Sequence, residues 1–414
     1  MEFGHLFRSL RHRNFRLFMI GQGVSLTGTW MQQVAMSWLV YRLTGSALLL
    51  GTVGFLSQLP AFFFSPLAGV LADRYDKRKM LIVVQSCAMA QAFLLAALVL
   101  SGTVRIWQIV ALGVMLGFVN AFEMPTRQSF FIDMLDGRKD LHNALVLNSS
   151  LVNITRIIGP SLAGILIAAV GEGLCFFFNG VSFIAVLFSL SAMRIPDTGT
   201  GAKEDKIISA LKSGWAYIRV TPPLLPLFSL LACISLFGMS FQILMPVYVK
   251  DVLHAGPRAL GFVMGSTGLG ALASAIFIAS RKNGTDFMPW ISKSAILFGG
   301  TLVVLSQVKV LSGALVVLPL VGAAMMAQLS ASNTTVQAHV KDHMRGRVMA
   351  YYSMAFLGVA PFGSLYAGSL AQRLGVENAL MFGGVCCALA GSVFAWRLAA
   401  LKAAGRLEFL ENKI

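Results

Sequence analysis

The sequence predicts an all-α integral membrane protein, twelve transmembrane helices arranged as two pseudo-symmetric six-helix bundles. Three observations carry that prediction. Of the 414 residues, 57% are hydrophobic and only 12% are charged, about half of the roughly 25% charge of a soluble domain. The apolar residues fall in runs long enough to cross a bilayer, which takes about 20 residues of helix. The positive charges collect in alternate breaks between those runs, as they do in loops that stay on the cytoplasmic side.

In chain order the first six runs are 15–41, 47–72, 80–101, 105–131, 142–169 and 172–193. The second six are 222–249, 258–280, 288–306, 311–338, 346–372 and 376–400. The longest break, 194–221, holds Lys203, Glu204, Asp205 and Lys206 and reads as a cytoplasmic linker between an N-terminal bundle (1–193) and a C-terminal bundle with its tail (222–414). Within the linker, Ile207, Ile208, Leu211, Trp215 and Ile218 recur at helical spacing opposite Lys212 and Arg219. That pattern suits an amphipathic helix lying on a membrane surface. The first run is too long for a signal h-region and lacks a small-residue cleavage site, so no cleavable leader is expected.

A net charge of +16 would otherwise suggest a nucleic-acid partner, which needs its basic residues gathered on one folded face. Sorted by loop, 26 of the 33 Lys and Arg lie on the side bearing both termini, six on the other, and Arg156 alone inside a run. The excess therefore records topology: both termini are expected in the cytoplasm, the chain in the inner membrane, with anionic lipid as counter-charge and no nucleic acid. The five cysteines sit in apolar runs without CxxC spacing, so no metal or redox site is expected. No P-loop, HExxH, GxSxG or catalytic acid pair occurs, so neither an enzyme nor a cofactor is expected.

The halves repeat weakly. Gln128, Asp133 and Arg138 have counterparts in Gln337, Asp342 and Arg347, and Gly159-Pro-Ser-Leu-Ala-Gly164 matches Gly363-Ser-Leu-Tyr-Ala-Gly368 in its Gly-to-Gly spacing. Two related halves are the plan of many secondary transporters, which bind substrate near the midplane.

The loop after the second run reads Gly69-Val-Leu-Ala-Asp73-Arg74-Tyr-Asp76-Lys77-Arg78-Lys79. It resembles the signature loop of the major facilitator superfamily, G-x-x-x-D-R-x-G-R-[RK], with Asp76 in place of a glycine. The resemblance implies a cytoplasmic latch in which Gly69 permits close helix contact and Asp73, with Arg74 and Arg78 beside it, meets the start of the eleventh helix near Arg345 and Arg347. The corresponding second-half loop, Ser280-Arg281-Lys282-Asn283-Gly284, lacks the acid. In the fifth run, Gly159-Pro160 followed by Gly164 resembles the helix 5 motif of exporters in the superfamily. The alternative is a kinked packing helix without bearing on direction.

Sixteen of the 17 acids lie in loops, tails or helix ends, and the exception is Glu123. An ionisable group inside a bilayer is costly and is a functional candidate. Three readings stay open for it: a protonation switch coupled to Arg156, a structural pair with Arg156, or a local pair with Arg127 one helical turn on. The arginine that many proton antiporters of the superfamily carry on helix 4 is missing, since 111–121 holds no charge. Other polar and aromatic residues at membrane depth are Gln22, Trp30, Gln32 and Gln33, then Asn120, Gln242, Gln328, Asn333, Tyr351 and Tyr352. Taken singly, each is first a candidate for interhelical hydrogen bonding; as a set they describe a substrate cavity with hydrogen-bonding groups and almost no fixed charge, suited to a large amphiphile rather than a sugar phosphate or small organic anion.

The opening His12-Arg-Asn-Phe-Arg-Leu-Phe, the Gly21-Gln-Gly-Val-Ser and Gly28-Thr-Trp-Met-Gln-Gln33 segments, the Phe122-Glu-Met-Pro-Thr-Arg-Gln128 string and Arg345-Gly-Arg-Val resemble the exporter branch that includes the enterobactin exporter and macrolide efflux proteins. The resemblance implies a monomeric, proton-coupled secondary transporter exporting a siderophore-like or drug-like small molecule. A facilitator or importer of the same fold is the first alternative, and a non-transporting receptor or scaffold the second.

Overall fold

The computed structural model describes residues 8–131, 133–135, 140–193, 207–281 and 286–403. The described residues form helices joined by short turns, without strands. Twelve are long: α1 (Arg13–Thr44), α2 (Ala47–Arg74), α3 (Lys77–Leu100), α4 (Ile106–Phe130), α5 (Leu141–Val170) and α6 (Glu172–Ala192), then α7 (Leu224–Val252), α8 (Pro257–Ala279), α9 (Met288–Gln307), α10 (Leu311–His339), α11 (342–374) and α12 (Val376–Ala403).

Eleven of these are long and apolar enough to cross a membrane. The twelfth, α1, has the length, but Gln22, Gln32, Gln33 and several Ser and Thr residues dilute its apolar character. Its polar groups are tolerated because many of them are buried against neighbouring helices. Glycines with φ of +57°, +71°, +84° and +88° at 45, 102, 171 and 375 mark the turns after α1, α3, α5 and α11, a backbone region open to glycine at little cost.

Two of the helices change pitch. In α7 the segments Ile234–Gly238 and Tyr248–Val252 are π-turns, as is Met354–Gly358 in α11. Ser235, in the first of them, donates its hydroxyl to the Phe356 carbonyl in the third at 2.5 Å, so the two widened turns are joined by a hydrogen bond. Such turns are often found at functional sites.

The chain forms two compact units whose borders cut across the two sequence halves. The first takes α1, α2 from Leu56 onward, α3 to α6, and Ala255–Gly265 at the start of α8. The second takes Ser46–Phe55 at the start of α2, the linking helix Ile207–Val220, α7, and the chain from Ser266 onward. The first turns of α2 and α8 are thus exchanged relative to a simple six-plus-six division.

The linking helix belongs to the second unit, where it packs against the beginning of α11. Arg347 donates to Ser213 Oγ at 3.0 Å, the Trp215 and Tyr351 rings lie 5.8 Å apart, and Ile218 is fully buried. The amphipathic pattern is real, but part of its apolar side covers protein where the sequence suggested only a membrane surface.

Candidate transport site

The helix 5 motif is a packing device with two contacts. Glycine at 159 lets α1 approach, since a methyl group there would fall 2.5 Å from Trp30 Cβ and 2.9 Å from the Thr27 carbonyl. Gly164 meets the start of α8: a methyl would lie 2.7 Å from the Pro257 carbonyl and 2.8 Å from Gly261 Cα. Pro160 sits inside a helix that continues to Val170.

The matched string in α11 repeats this within the second unit. A methyl at Gly363 would fall 2.6 Å from the Leu236 carbonyl of α7, and one at Gly368 would fall 2.5 Å from the Ala47 carbonyl and 2.8 Å from Gly51 Cα of α2. Small residues at both crossings let backbones touch, which is where helices in lipid gain their packing energy.

Beside the first crossing of α5 lies the charge. Arg156 stands midway along that helix, one turn before Gly159, with its guanidinium 5.0 Å from the centroid of the Trp30 ring. Its Nε is buried without a hydrogen-bond partner among the described residues. Glu123 is 3.0 Å from Arg127 on the same helix, each side chain about one-fifth exposed. Of the three readings for Glu123, the local pair is the one formed here, and it leaves Arg156 without an acid partner among the described residues.

The cavity candidates separate into two groups. Gln32 belongs to a buried chain of amides linking three helices: it donates to Gln91 Oε1 at 2.9 Å and accepts from Asn179 Nδ2 at 2.8 Å, while Ser182 donates to the Asn179 carbonyl at 2.7 Å. Gln22 and Gln328 are also buried, each with a side-chain carbonyl oxygen lacking a partner among the described residues, and Gln328 donates to Ser332 at 3.1 Å. Tyr352 is buried too and donates to the Leu329 carbonyl at 3.2 Å. These four lie within helix packing and not on an open surface; Gln32 and Tyr352 are satisfied by neighbouring helices, the cheapest arrangement for a polar group in a bilayer. Tyr351 is engaged by Trp215. Trp30, Gln242 and Asn333 are half-buried, and Gln33 and Asn120 are exposed. Sequence reasoning missed Gln91, Asn179 and Ser182; the stripe Gly21, Ser25, Gly28, Gln32 at helical spacing was the available signal for a close helix seam on α1.

At the ends nearest the termini, the signature loop explains its own departure. Asp76 caps α3, accepting from the Arg78 and Lys79 backbone N–H groups at 2.9 and 3.1 Å, so the side chain at the usual glycine position supplies a helix cap worth about 1 kcal/mol. Arg78 donates to the carbonyls of Leu190 and Ser191 at the end of α6, at 2.7 and 2.6 Å, and Lys77 pairs with Asp133 at 2.8 Å. Arg78 is therefore engaged in holding α3 to α6. The Gly69, Asp73 and Arg74 side chains lie outside the described residues, as do Arg138 and most of the linker. Arg345 is exposed, while Arg347 is half-buried and holds Ser213. Before α5, Asp140 pairs with Arg8 and, at 2.9 Å, with His12; the hydrogen bond from His12, with Arg8 adding to it, holds the Asp140 carboxyl below its usual range.

A family model described as a transmembrane secretion effector, within the major facilitator superfamily, matches residues 5–409. The chain belongs to that family. The staphyloferrin A transporter of Staphylococcus aureus is 26% identical over 86% of this chain and 89% of its own length, and the multidrug efflux pump Tap of Mycolicibacterium fortuitum is 24% identical over 83% and 86%. Among solved structures, a POT family transporter in complex with 5-aminolevulinic acid superposes with a TM-score of 0.73 over 93% of this chain and 96% of that one, at 11% identity; it shares the fold. The chain is thus a multi-pass membrane transporter with relatives in the efflux branch, as its motifs led one to expect.

Proposed function

We propose that this protein exports an amphiphilic small molecule from the cytoplasm by alternating access of two six-helix halves, as a monomer in the cytoplasmic membrane with both termini inside, driven by inward proton movement. The observation that carries the coupling is Glu123. Among the described residues it is the one acid well inside a span, and its partner Arg127 lies on the same helix. Breaking that pair would free a cation on α4, a local charge event of the kind that biases a two-state element. One relative is a multidrug efflux pump and another a staphyloferrin A transporter; the first supports export, and both support a small-molecule cargo. The signature loop supports a latch through Asp73 that closes the cytoplasmic side.

The test uses proteoliposomes with an imposed pH gradient and a panel of fluorescent amphiphiles. Glu123→Gln is expected to lose gradient-driven accumulation by tenfold or more while still exchanging substrate down its own gradient. Accumulation by that variant that still follows the pH gradient would move coupling elsewhere. Flux measured in vesicles of both orientations separates an exporter from a facilitator or importer.

A further inference from the structure

Arg156 is a cation midway along a span, without a counter-charge among the described residues. It lies at the middle of α5, about 20 Å of helix from either end, where an unpaired charge is among the costliest groups a membrane protein can hold. Its ion-pair candidate, Glu123, is taken by Arg127. What lies over it is Trp30, brought close because Gly159, one turn on, has no side chain to hold α1 away. An aromatic face returns roughly 0.5–2 kcal/mol to a cation, less than burial of an unpaired charge costs. Lipid on its open side would leave that cost in place, whereas water or an anionic ligand there would offset it.

We infer that Arg156 and Trp30 form the anion subsite of the transport pathway, and that the cargo carries a carboxylate joined to an apolar or aromatic body. The guanidinium presents parallel N–H donors matched to the two oxygens of a carboxylate. The indole alongside offers stacking surface to the part of the ligand next to that carboxylate. One cation matches one carboxylate, so an amphiphilic monoacid fits and a polyanion does not. The inference deepens the transport reading above and rests on it for the ligand's entry and release.

The test measures equilibrium binding of dansyl-labelled undecanoic acid and of its methyl ester to the full chain in lipid nanodiscs. The acid is expected to bind at least tenfold more tightly than the ester. Arg156→Gln should abolish that preference, Arg156→Lys should keep part of it, and Trp30→Leu should weaken both probes. Equal binding of acid and ester to the native protein, no saturable binding of either, or an undiminished acid preference in Arg156→Gln would overturn the subsite. A ligand-free control excludes a structural role: Arg156→Gln should melt no lower than the native protein, and a fall of about 5 °C or more, the size expected for breaking a buried pair, would also overturn it. Flux of uncharged amphiphiles through proteoliposomes keeps the two readings apart. Flux without acid preference removes the subsite and leaves the transporter, whereas acid preference without any flux removes the transport reading and leaves a binding site.

Discussion

Comparable seams in the two units are built on one backbone plan with different chemistry. In the first unit, α1 meets α3 and α6 where Gly28 comes so close that a methyl group would lie 2.5 Å from Asn179 Oδ1 and Ser182 Oγ, and the seam is filled by the Gln32, Gln91 and Asn179 amides. In the second, α7 meets α9 and α12 at Gly238, where a methyl would lie 2.7 Å from Cys387 Sγ and against the Phe298 ring. The glycine strings of α5 and α11 show the same contrast. Each makes two backbone crossings, but three residues before the first glycine stands Arg156 in one and Ala360 in the other. At these paired places the close packing is alike, while the amide hydrogen bonds and the arginine stand in the first unit.

The largest effects should come from the shared part, and they should be alike in the two units. Gly164→Val and Gly368→Val each push side-chain atoms into a neighbouring backbone that would lie less than 3 Å from the added Cβ. Overpacking of this kind costs about 1–3 kcal/mol. Each variant should lower the melting temperature and cut transport by tenfold or more. If one were silent and the other severe, the crossings would be equivalent in shape only.

The next test concerns the polar seam. Gln32→Leu leaves the Gln91 carbonyl oxygen and an Asn179 N–H without their partner, which costs about 1–3 kcal/mol when the groups stay buried. Adding Asn179→Leu should recover part of that loss, so thermal melts of the single and double variants should be non-additive. Normal stability in Gln32→Leu together with altered substrate affinity would instead return Gln32 to the cavity.

This pair of seams also shows what the sequence could and could not convey. The spans were legible because about 20 apolar residues in a row have few other uses, and even the polar-rich α1 kept enough of the pattern. The Glu123–Arg127 pair was legible as a four-residue spacing, and the exporter string at Gly159 predicted a close contact. The partners were not legible. A polar side chain at membrane depth looks the same whether it faces a cavity or a neighbouring amide, so for Gln32 and Gln328 both readings stay open in the sequence. Amphipathicity fixes which side of the linking helix is apolar but not what covers it, and the Trp215–Tyr351 contact is a tertiary fact. The π-turns of α7 and α11 carry an ambiguous signal: two end in Gly238 and Gly358 and the third begins two residues after Pro246, but Gly and Pro serve helix packing and kinks as readily.

The smallest expected effect lies where α5 and α11 begin, and it extends the contrast to acid. The α11 end is held by Arg347 on Ser213 and by stacked rings, contacts that do not titrate between about pH 5 and 3. The α5 end is held by Asp140 on Arg8 and His12. Because the Asp140 carboxyl is held below its ordinary value of 3.8, a proton binds the unfolded chain more readily than the folded one. The stabilisation is therefore complete above the ordinary value and is lost as pH falls below it through the folded-state value. Asp140→Asn should remove this part of the acid sensitivity, so that melting temperatures of variant and native protein converge between about pH 5 and 3. The site is close to solvent and salt will screen it, so the difference at about pH 5 should shrink in high salt. A gap between the two proteins that is independent of pH would assign Asp140 to helix packing and remove the acid-dependent contrast between the two helix starts.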